Sequence, residues 1–540
     1  MDDDGFAIDS RDGSIVIASA APRGVLFGTY TLLRAFGARF YAPAYPFYKG
    51  RNEFIPRLAV LSYPRLLEVE NPSFRYRRKY ISEGTSHSLS TVKALLDWMA
   101  KNNLNTLVYP ANLDGANFVT WDTWRSELTP ELSRRDLILE VGGHGYETFL
   151  APARYQSAHQ DWFGGPSEPI VGSGIPPANV FRISNADALH TYESNVQQYL
   201  AQRPEIQVFD AWPPDATKWI QSDVDAFGGV PQAMAHVSCN LEARLQQNGS
   251  NVRVESLGYL LSLNPPKDDD CYSANSVFDI APYDRSYATS IGEDTDPINR
   301  QYALIVRNWA DSGFPGTLGI FEYYRKYSWH SLPVFLPDLM GQDHDYYYSH
   351  GVRGIGFQSE PADWITYELT HLLGARLSWD ATTDTQTYVN DYLQSRYGVA
   401  ATSMHQYLDQ VSAAGRILFD GPQGRFDDAA TLEQAEEHYQ SAKEAITQAL
   451  AAVPQDARNL VTVLAANVDY ALLDIRLSRD TLSGDSSLIA KDSAALHDEI
   501  ESHKFDGAIL KNYYSIKRYD PAITYEDTYP LYEVYRNAFR

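Results

Sequence analysis

The stretch Thr317-Leu-Gly-Ile-Phe-Glu-Tyr-Tyr-Arg-Lys-Tyr-Ser-Trp329 begins as a short apolar run and stops abruptly in a carboxylate among aromatic rings. Thr317 to Phe321, preceded by Pro315 and Gly316, has the length and composition of a buried strand. An acid at the carboxyl end of such a strand, Glu322, is expected in a concave mouth. There, aromatic faces stack on sugar rings and partial desolvation tunes the acid. The plain alternative is an ion pair with Arg325 or Lys326 that ties down a loop.

Working outward, the same strand-then-helix alternation continues on both sides. The spacing predicts a helix over Pro297 to Ser312, where Tyr302, Ile305, Val306 and Trp309 fall on one apolar face. Downstream it predicts helix Pro333 to His350, strand Gly354 to Phe357 and helix Pro361 to Leu377. Upstream the series runs back through strands Phe74 to Ser82, Asn105 to Tyr109, Leu137 to Val141, Ile206 to Phe209, Val252 to Leu260 and Val277 to Ala281. Helices Thr91 to Asn102, Thr120 to Arg135, Ala186 to Gln202 and Gln232 to Gln247 separate them, and an irregular loop replaces the fifth. Eight such units over about 300 residues predict a closed (β/α)8 TIM barrel. A doubly wound open sheet is the runner-up, but no Gly-rich phosphate turn follows the first strand. Neither a P-loop nor a serine nucleophile elbow occurs.

The flanks read differently. Residues 5 to 18 alternate as a strand, turn and strand, and Gly24 to Phe36 has helical spacing closed by Gly37. Pro43 to Pro72, with a short strand at Leu58 to Leu61, reads as a bridge. After Asp380 the strands cease. Helices are expected at Thr385 to Tyr397 and Ser403 to Leu418, from a capping box at Thr431-Leu-Glu-Gln434 to Val453, and from Asp456 to Leu477. The chain ends in a Tyr-rich segment, Tyr513 to Tyr535. The expected domains are a partial α+β domain and linker over 1–72, a catalytic barrel over 73–380 and a mainly helical domain over 381–540.

Composition narrows the function classes. The 540 residues carry 45 Lys and Arg against 69 Asp and Glu, a formal charge of −24, which argues against nucleic acid as a partner. Arg75, Arg77, Arg78 and Lys79 form the one notable basic run, and on an alternating strand they would point both ways into separate ion pairs. Aromatics make up 13%, with 37 Tyr and 10 Trp, which suits carbohydrate binding as well as a large core. The two cysteines, Cys239 and Cys271, match neither a disulfide framework nor a zinc site, and whether they pair is open. No apolar run is long enough to span a membrane, and Met1-Asp-Asp-Asp-Gly5 does not read as a signal peptide. No cofactor or metal motif is present, and Asp268-Asp-Asp270 reads as a solvated turn rather than a calcium loop.

In a TIM barrel the active site lies at the carboxyl ends of the strands. Strand three ends in Gly142-Gly-His144-Gly-Tyr146, strand four in Asp210-Ala-Trp212-Pro-Pro-Asp215, and strand six in Tyr283-Asp284-Arg285. Strand seven ends in Glu322-Tyr323-Tyr324 and strand eight in Gln358-Ser-Glu360. Glycoside hydrolysis needs one acid to protonate the leaving oxygen and a second group to stabilise or attack the oxocarbenium-like carbon. Glu322 with Asp215 or Asp210 would serve, with Glu360 as a third candidate. His144, Asp210, Trp212, Tyr283, Arg285, Tyr323 and Trp329 are candidate sugar-binding residues. For each the bland reading stands beside it: a carbonyl-bonded loop histidine, an Arg285 ion pair to Glu322 or Asp284, and core aromatics.

The segment Gly24-Val-Leu-Phe-Gly-Thr-Tyr-Thr-Leu-Leu33 through Gly37-Ala-Arg-Phe-Tyr-Ala-Pro43 resembles the end of the small domain that precedes the barrel in glycoside hydrolase families 20 and 67. Asp279 to Tyr287, Phe321-Glu-Tyr-Tyr324, Asp345 to Gln358 and Leu377-Ser-Trp-Asp380 resemble the bacterial family called domain of unknown function 4838. That family includes the endo-β-N-acetylglucosaminidases of family 163. The resemblance covers roughly residues 5 to 400. It implies a secreted or periplasmic glycan-degrading enzyme with Glu322 as a catalytic carboxylate. The adjacent Asp-Glu pair of family 20 is absent, with Asp210 and Asp215 in its place. Three functions are therefore expected in descending order: a glycoside hydrolase; a non-catalytic carbohydrate-binding protein; a polysaccharide lyase using Tyr323, His144 and Arg285.

Overall fold

In a computed structural model of the chain, eight parallel strands close into one barrel in chain order, the eighth pairing back to the first. They are Tyr76–Tyr80, Thr106–Pro110, Ile138–His144, Val208–Trp212, Arg253–Gly258, Val277–Ile280, Thr317–Glu322 and Gly354–Gln358. The structure describes residues 4–540 except 12, 58–66, 82–85, 112–119, 173–180, 214, 216–218, 268–270, 294 and 423. The expected strand at Leu58 to Leu61 and the acidic turn Asp268 to Asp270 lie outside the described residues.

Helices Leu89–Lys101, Trp121–Arg135, Ala186–Ala201, Val230–Gln247, Pro297–Asp311, Pro337–Ser349 and Glu368–Trp379 clothe the barrel. Strand five is followed instead, among the described residues, by a 3-10 turn, Leu260–Ser262, and a loop. Local chemistry sets these boundaries. Asp296 accepts hydrogen bonds from the Ile298 and Asn299 amides at 2.8 Å while Pro297 occupies the first turn, so the sixth-strand helix starts there and buries Tyr302, Ile305, Val306 and Trp309.

Side-chain alternation decides what fills the barrel. Gly319 faces inward, since a methyl there would meet Asp279 Oδ1 at 2.0 Å. Phe321 shares that face, and Leu318, Ile320 and Glu322 point out toward the helices. Inside, Arg78 bonds Glu140 at 2.8 Å and Asp279 at 3.0 Å. Room for its side chain comes from Gly354 and Gly356, where a methyl would stand 2.8 and 2.5 Å from Arg78 atoms. The basic run on strand one thus separates as alternation requires: Arg78 inside, Arg77 outside against Asp4 at 2.5 Å. Lys79 departs from the expected ion pairing. Its ammonium group lies 2.9 Å from His371 Nδ1 and 3.6 Å from the Phe357 ring centre, and burial pushes its pKa well down.

Before the barrel, strands Phe6–Arg11, Ser14–Ser19 and Leu67–Glu70 form a small antiparallel sheet. Phe6 and Phe27 pack on Trp379 at the end of the last barrel helix. After it come helices Thr385–Tyr397, Ala401–Leu418, Ala429–Ala452 and Gln455–Ser483. A further helix, Ser486–His503, goes beyond the sequence reading. The expected capping box at Thr431 is displaced. Asp428 caps that helix through the Ala430 amide, and Thr431, one turn in, donates its hydroxyl back to Asp428. Cys239 and Cys271 are joined in a disulfide that ties the fourth-strand helix to the loop after strand five.

Candidate active site

A cavity of about 80 Å³, open to solvent, lies at the carboxyl ends of the strands. Its walls are aromatic: Trp212 from strand four, Tyr259 after strand five, Tyr283 after strand six, Phe321 from strand seven, Tyr323 just after it, and Tyr327 beyond. Tyr514, from the Tyr-rich carboxyl segment, completes one side. Polar groups enter at few points. His144, Asp215, Lys326, Ser328 and Gln358 line the cavity. His144 Nε2 stands 3.9 Å from Asp215 Oδ1, while its Nδ1 contacts the Pro213 carbonyl at 2.8 Å. His144 therefore lines the cavity from the last position of strand three and contacts a backbone carbonyl, the contact of its plain reading.

Glu322 lies elsewhere. Its side chain is fully buried on the outer side of the barrel wall and accepts from Arg285 Nη1 at 2.5 Å, Tyr347 Oη at 2.8 Å, Tyr287 Oη at 3.2 Å and the Tyr323 amide at 2.7 Å. Asp343, on helix Pro337–Ser349, shares the same guanidinium at 2.7 Å. The expectation that strand seven delivers Glu322 into the hollow is corrected by parity. Phe321 and Tyr323 take the inward positions, and the residue between them must face out. Arg285, also fully buried, is held there with it. Burial works against its charge, but Asp343 and Glu322 outweigh that and raise its pKa well above the usual arginine value. Burial pushes Asp343 up to about 6. Trp329 packs in the core between Tyr287 and Phe419. The set Tyr323, His144 and Arg285 is thereby split, with Arg285 outside the cavity.

Beneath the cavity floor lies an acid-rich layer whose members the sequence reading named only in part. Asp210 is buried below Trp212, and with it sit Glu140, Glu255 and Asp279 from strands three, five and six. Burial first, then the Glu140 and Glu255 carboxylates, push Asp210 well above the usual carboxylate range. Glu255, which receives the Trp212 indole N–H, is raised well above that range by burial, then by Asp279 and Glu140. Arg78 partly offsets the rise at Glu140 and Asp279. A single carboxylate inside a buried strand, after Leu139 for Glu140 and after Val254 for Glu255, is the signal the sequence holds for these two.

Glu360 is buried behind Tyr327. Its Oε1 accepts from the Tyr327 hydroxyl at 2.7 Å and its Oε2 from the Ser86 amide and hydroxyl, both at 2.7 Å. Burial pushes it up to about 8, against the Arg325 charge and these hydrogen bonds. The loop carrying Tyr327 is held in place by the carboxyl-terminal helices. His330 and Ser331 adopt left-handed φ values of 54° and 60°, costing about 1–2 kcal/mol each. Tyr470 and Asn467 donate to their carbonyl oxygens and fix that conformation.

Residues 47–409 match the family described as Domain of unknown function (DUF4838), and the chain belongs to that family. Among solved structures, a "GH138 enzyme targeting pectin rhamnogalacturonan II" superposes with a TM-score of 0.62 at 12% identity, over 98% of this chain and 72% of its own. CpGH84B superposes with a TM-score of 0.51 at 10% identity, over 100% of this chain and 86% of its own. Both are named for glycoside hydrolase families, and at these identities the likeness is one of fold. No curated protein matches the chain in sequence. No helix among the described residues is long and apolar enough to cross a membrane.

Proposed function

We propose that the chain is a glycoside hydrolase acting on a complex glycan or polysaccharide in the cavity at the carboxyl mouth of the barrel. The observation that supports this most is the meeting of aromatic walls with Asp215 and His144 at the strand ends. Aromatic faces bind the apolar faces of sugar rings, and a rim carboxylate can act at the anomeric centre. Glu360 suits the acid role. With a pKa near 8 it is largely protonated at neutral pH, and Tyr327, which lines the cavity, is bonded to it. Asp215 then acts as base or nucleophile; in the acid step the Tyr327 hydroxyl turns its proton from Glu360 to the leaving oxygen, and as that proton transfers the Tyr327 oxygen takes up the proton of Glu360, which is left as a carboxylate. Glu322, in this reading, positions the strand-seven end rather than touching substrate.

The finer activity, endo-β-N-acetylglucosaminidase, rests on the resemblance alone, whose most specific piece is Phe321-Glu-Tyr-Tyr324. The Cys239–Cys271 disulfide supports an oxidising compartment, and with it a secreted or periplasmic location.

Digestion of a broad glycan panel, read by mass spectrometry alongside binding, tests the proposal. Asp215→Asn should keep glycan binding and lose hydrolysis by a factor on the order of 10² or more. Hydrolysis by Asp215→Asn at the unmodified rate would refute it. A second reading, a carbohydrate-binding protein without turnover, is favoured by one observation: among the described residues lining the cavity, Asp215 is the sole carboxylate. Binding across the panel with no cleaved product from the unmodified protein would select that reading.

A further inference from the structure

The cavity contains a cation with no acid to match it. Lys326 lines the cavity and is 4% exposed. Its Nζ donates to the Tyr283 carbonyl at 2.5 Å and lies within 3.4 Å of the Pro422 carbonyl, and it stands 3.8 Å from the centre of the Tyr283 ring. Those contacts orient the ammonium group and leave its charge unneutralised. No carboxylate among the described residues comes within ion-pairing distance of it. Asp284 and Glu322 are the acids whose charge it feels most, and Glu322 is already committed to Arg285.

A buried charge without a partner is costly, and proteins ordinarily pair it or neutralise it. The neighbouring Arg325, by contrast, is paired with Asp363 at 2.6 Å. In a chain with 24 excess negative charges, an unmatched ammonium group lining an aromatic-walled cavity has one economical explanation: its partner arrives with the ligand. We infer that Lys326 is a specificity residue that selects a glycan bearing an anionic substituent, a uronate carboxylate or a sulfate ester, on the sugar seated against Tyr283 and Tyr323. Tyr283 and Tyr323, edge to face at 5.2 Å, form the apolar wall beside that charge. The inference rests on the proposed glycan site but does not require turnover there.

Binding, measured by calorimetry on the full chain, tests it with matched probes. Trigalacturonate is compared with its neutral methyl ester, and a sulfated disaccharide with its unsulfated parent. The two arms separate a carboxylate from a sulfate ligand. At least one anionic probe should bind ten-fold or more tightly than its neutral counterpart. Lys326→Met should narrow that ratio to less than three-fold, and Lys326→Arg, which keeps the charge, should retain it. Equal affinity for both members of both pairs overturns the inference, as does a preference that survives Lys326→Met. Should Lys326→Met fail to fold, pH dependence decides: the preference of the unmodified protein should fall as pH rises from 7 to 9.5 and that of Lys326→Arg should hold, and an equal response in both overturns the inference. Anion preference without cleavage of any glycan would sink the hydrolase reading alone, and cleavage of neutral glycans with no preference would sink this one alone.

Discussion

Arg285 Nη1 and Glu322 Oε1 meet at 2.5 Å on the outer side of the barrel wall, with no solvent contact at either side chain. The pair joins the loop after strand six to the end of strand seven, and Asp343 extends it to the following helix. Glu322 should therefore behave as a stability residue. Glu322→Ala strands a guanidinium group and two tyrosine hydroxyls; with Asp343 still in place, a loss of about 3 kcal/mol is expected, the low end for breaking a buried pair. Denaturant midpoints check this. A catalytic Glu322 would give the opposite pattern, with Glu322→Gln fully stable and inactive.

Glu360 carries a pH signature. Its folded pKa, about 8, lies above its ordinary value of 4.5, so its contribution to stability is complete below the ordinary value and is lost as pH rises through 8. Each unit of that window is worth about 1.4 kcal/mol at most. Replacing Glu360 with Gln should flatten the decline in Tm between roughly pH 5 and 8. An unchanged slope would show that the group titrates normally.

Lys326 titrates in the same region from the other side. Burial lowers it to about 8, with Asp284 and Glu322 opposing, and His144 and Asp215 share its cavity. Affinity for an anionic glycan should hold below that value and fall as pH rises through it, because the ammonium form is the binding form. Titrating affinity from pH 6 to 9.5 for the unmodified protein and Lys326→Arg separates this residue from the rest, since the arginine variant should lose little.

Reduction of Cys239–Cys271 opens a loop spanning 32 positions. Chain-entropy reasoning puts its contribution at about 3.5 kcal/mol. Thermal unfolding with and without reductant should show a clear drop in Tm, and a Cys239→Ser, Cys271→Ser double variant should match the reduced protein.

The barrel was legible because buried parallel strands and amphipathic helices write different periods. Strand six stands out through Val277-Phe-Asp-Ile280 and its helix through Tyr302, Ile305, Val306 and Trp309. What could not be read was the face of strand seven. Thr317 to Phe321 is buried on both sides and nearly continuous in its apolar character, so alternation leaves no trace in composition. Gly319 held the clue, since a glycine inside a barrel strand marks a close neighbour, here Asp279 and Arg78. The cavity residues His144, Trp212, Asp215, Tyr283 and Tyr323 were found from strand-end position alone. In the sequence Lys326 reads only as a partner for Glu322, because its unmatched charge becomes visible only once Glu322 is seen to bond Arg285.

Arg78 has one more consequence, which follows from the three glycines that make space for it. Rooted in strand one, its guanidinium group grips strands three and six and so works as a strut across the hollow. Separating the first four strands from the last four would leave that charge with half its partners in a dry interior. The cylinder should resist coming apart as two half-barrels and melt as a unit, with the amides of strands one, three and six exchanging their hydrogens at a common, slowest rate.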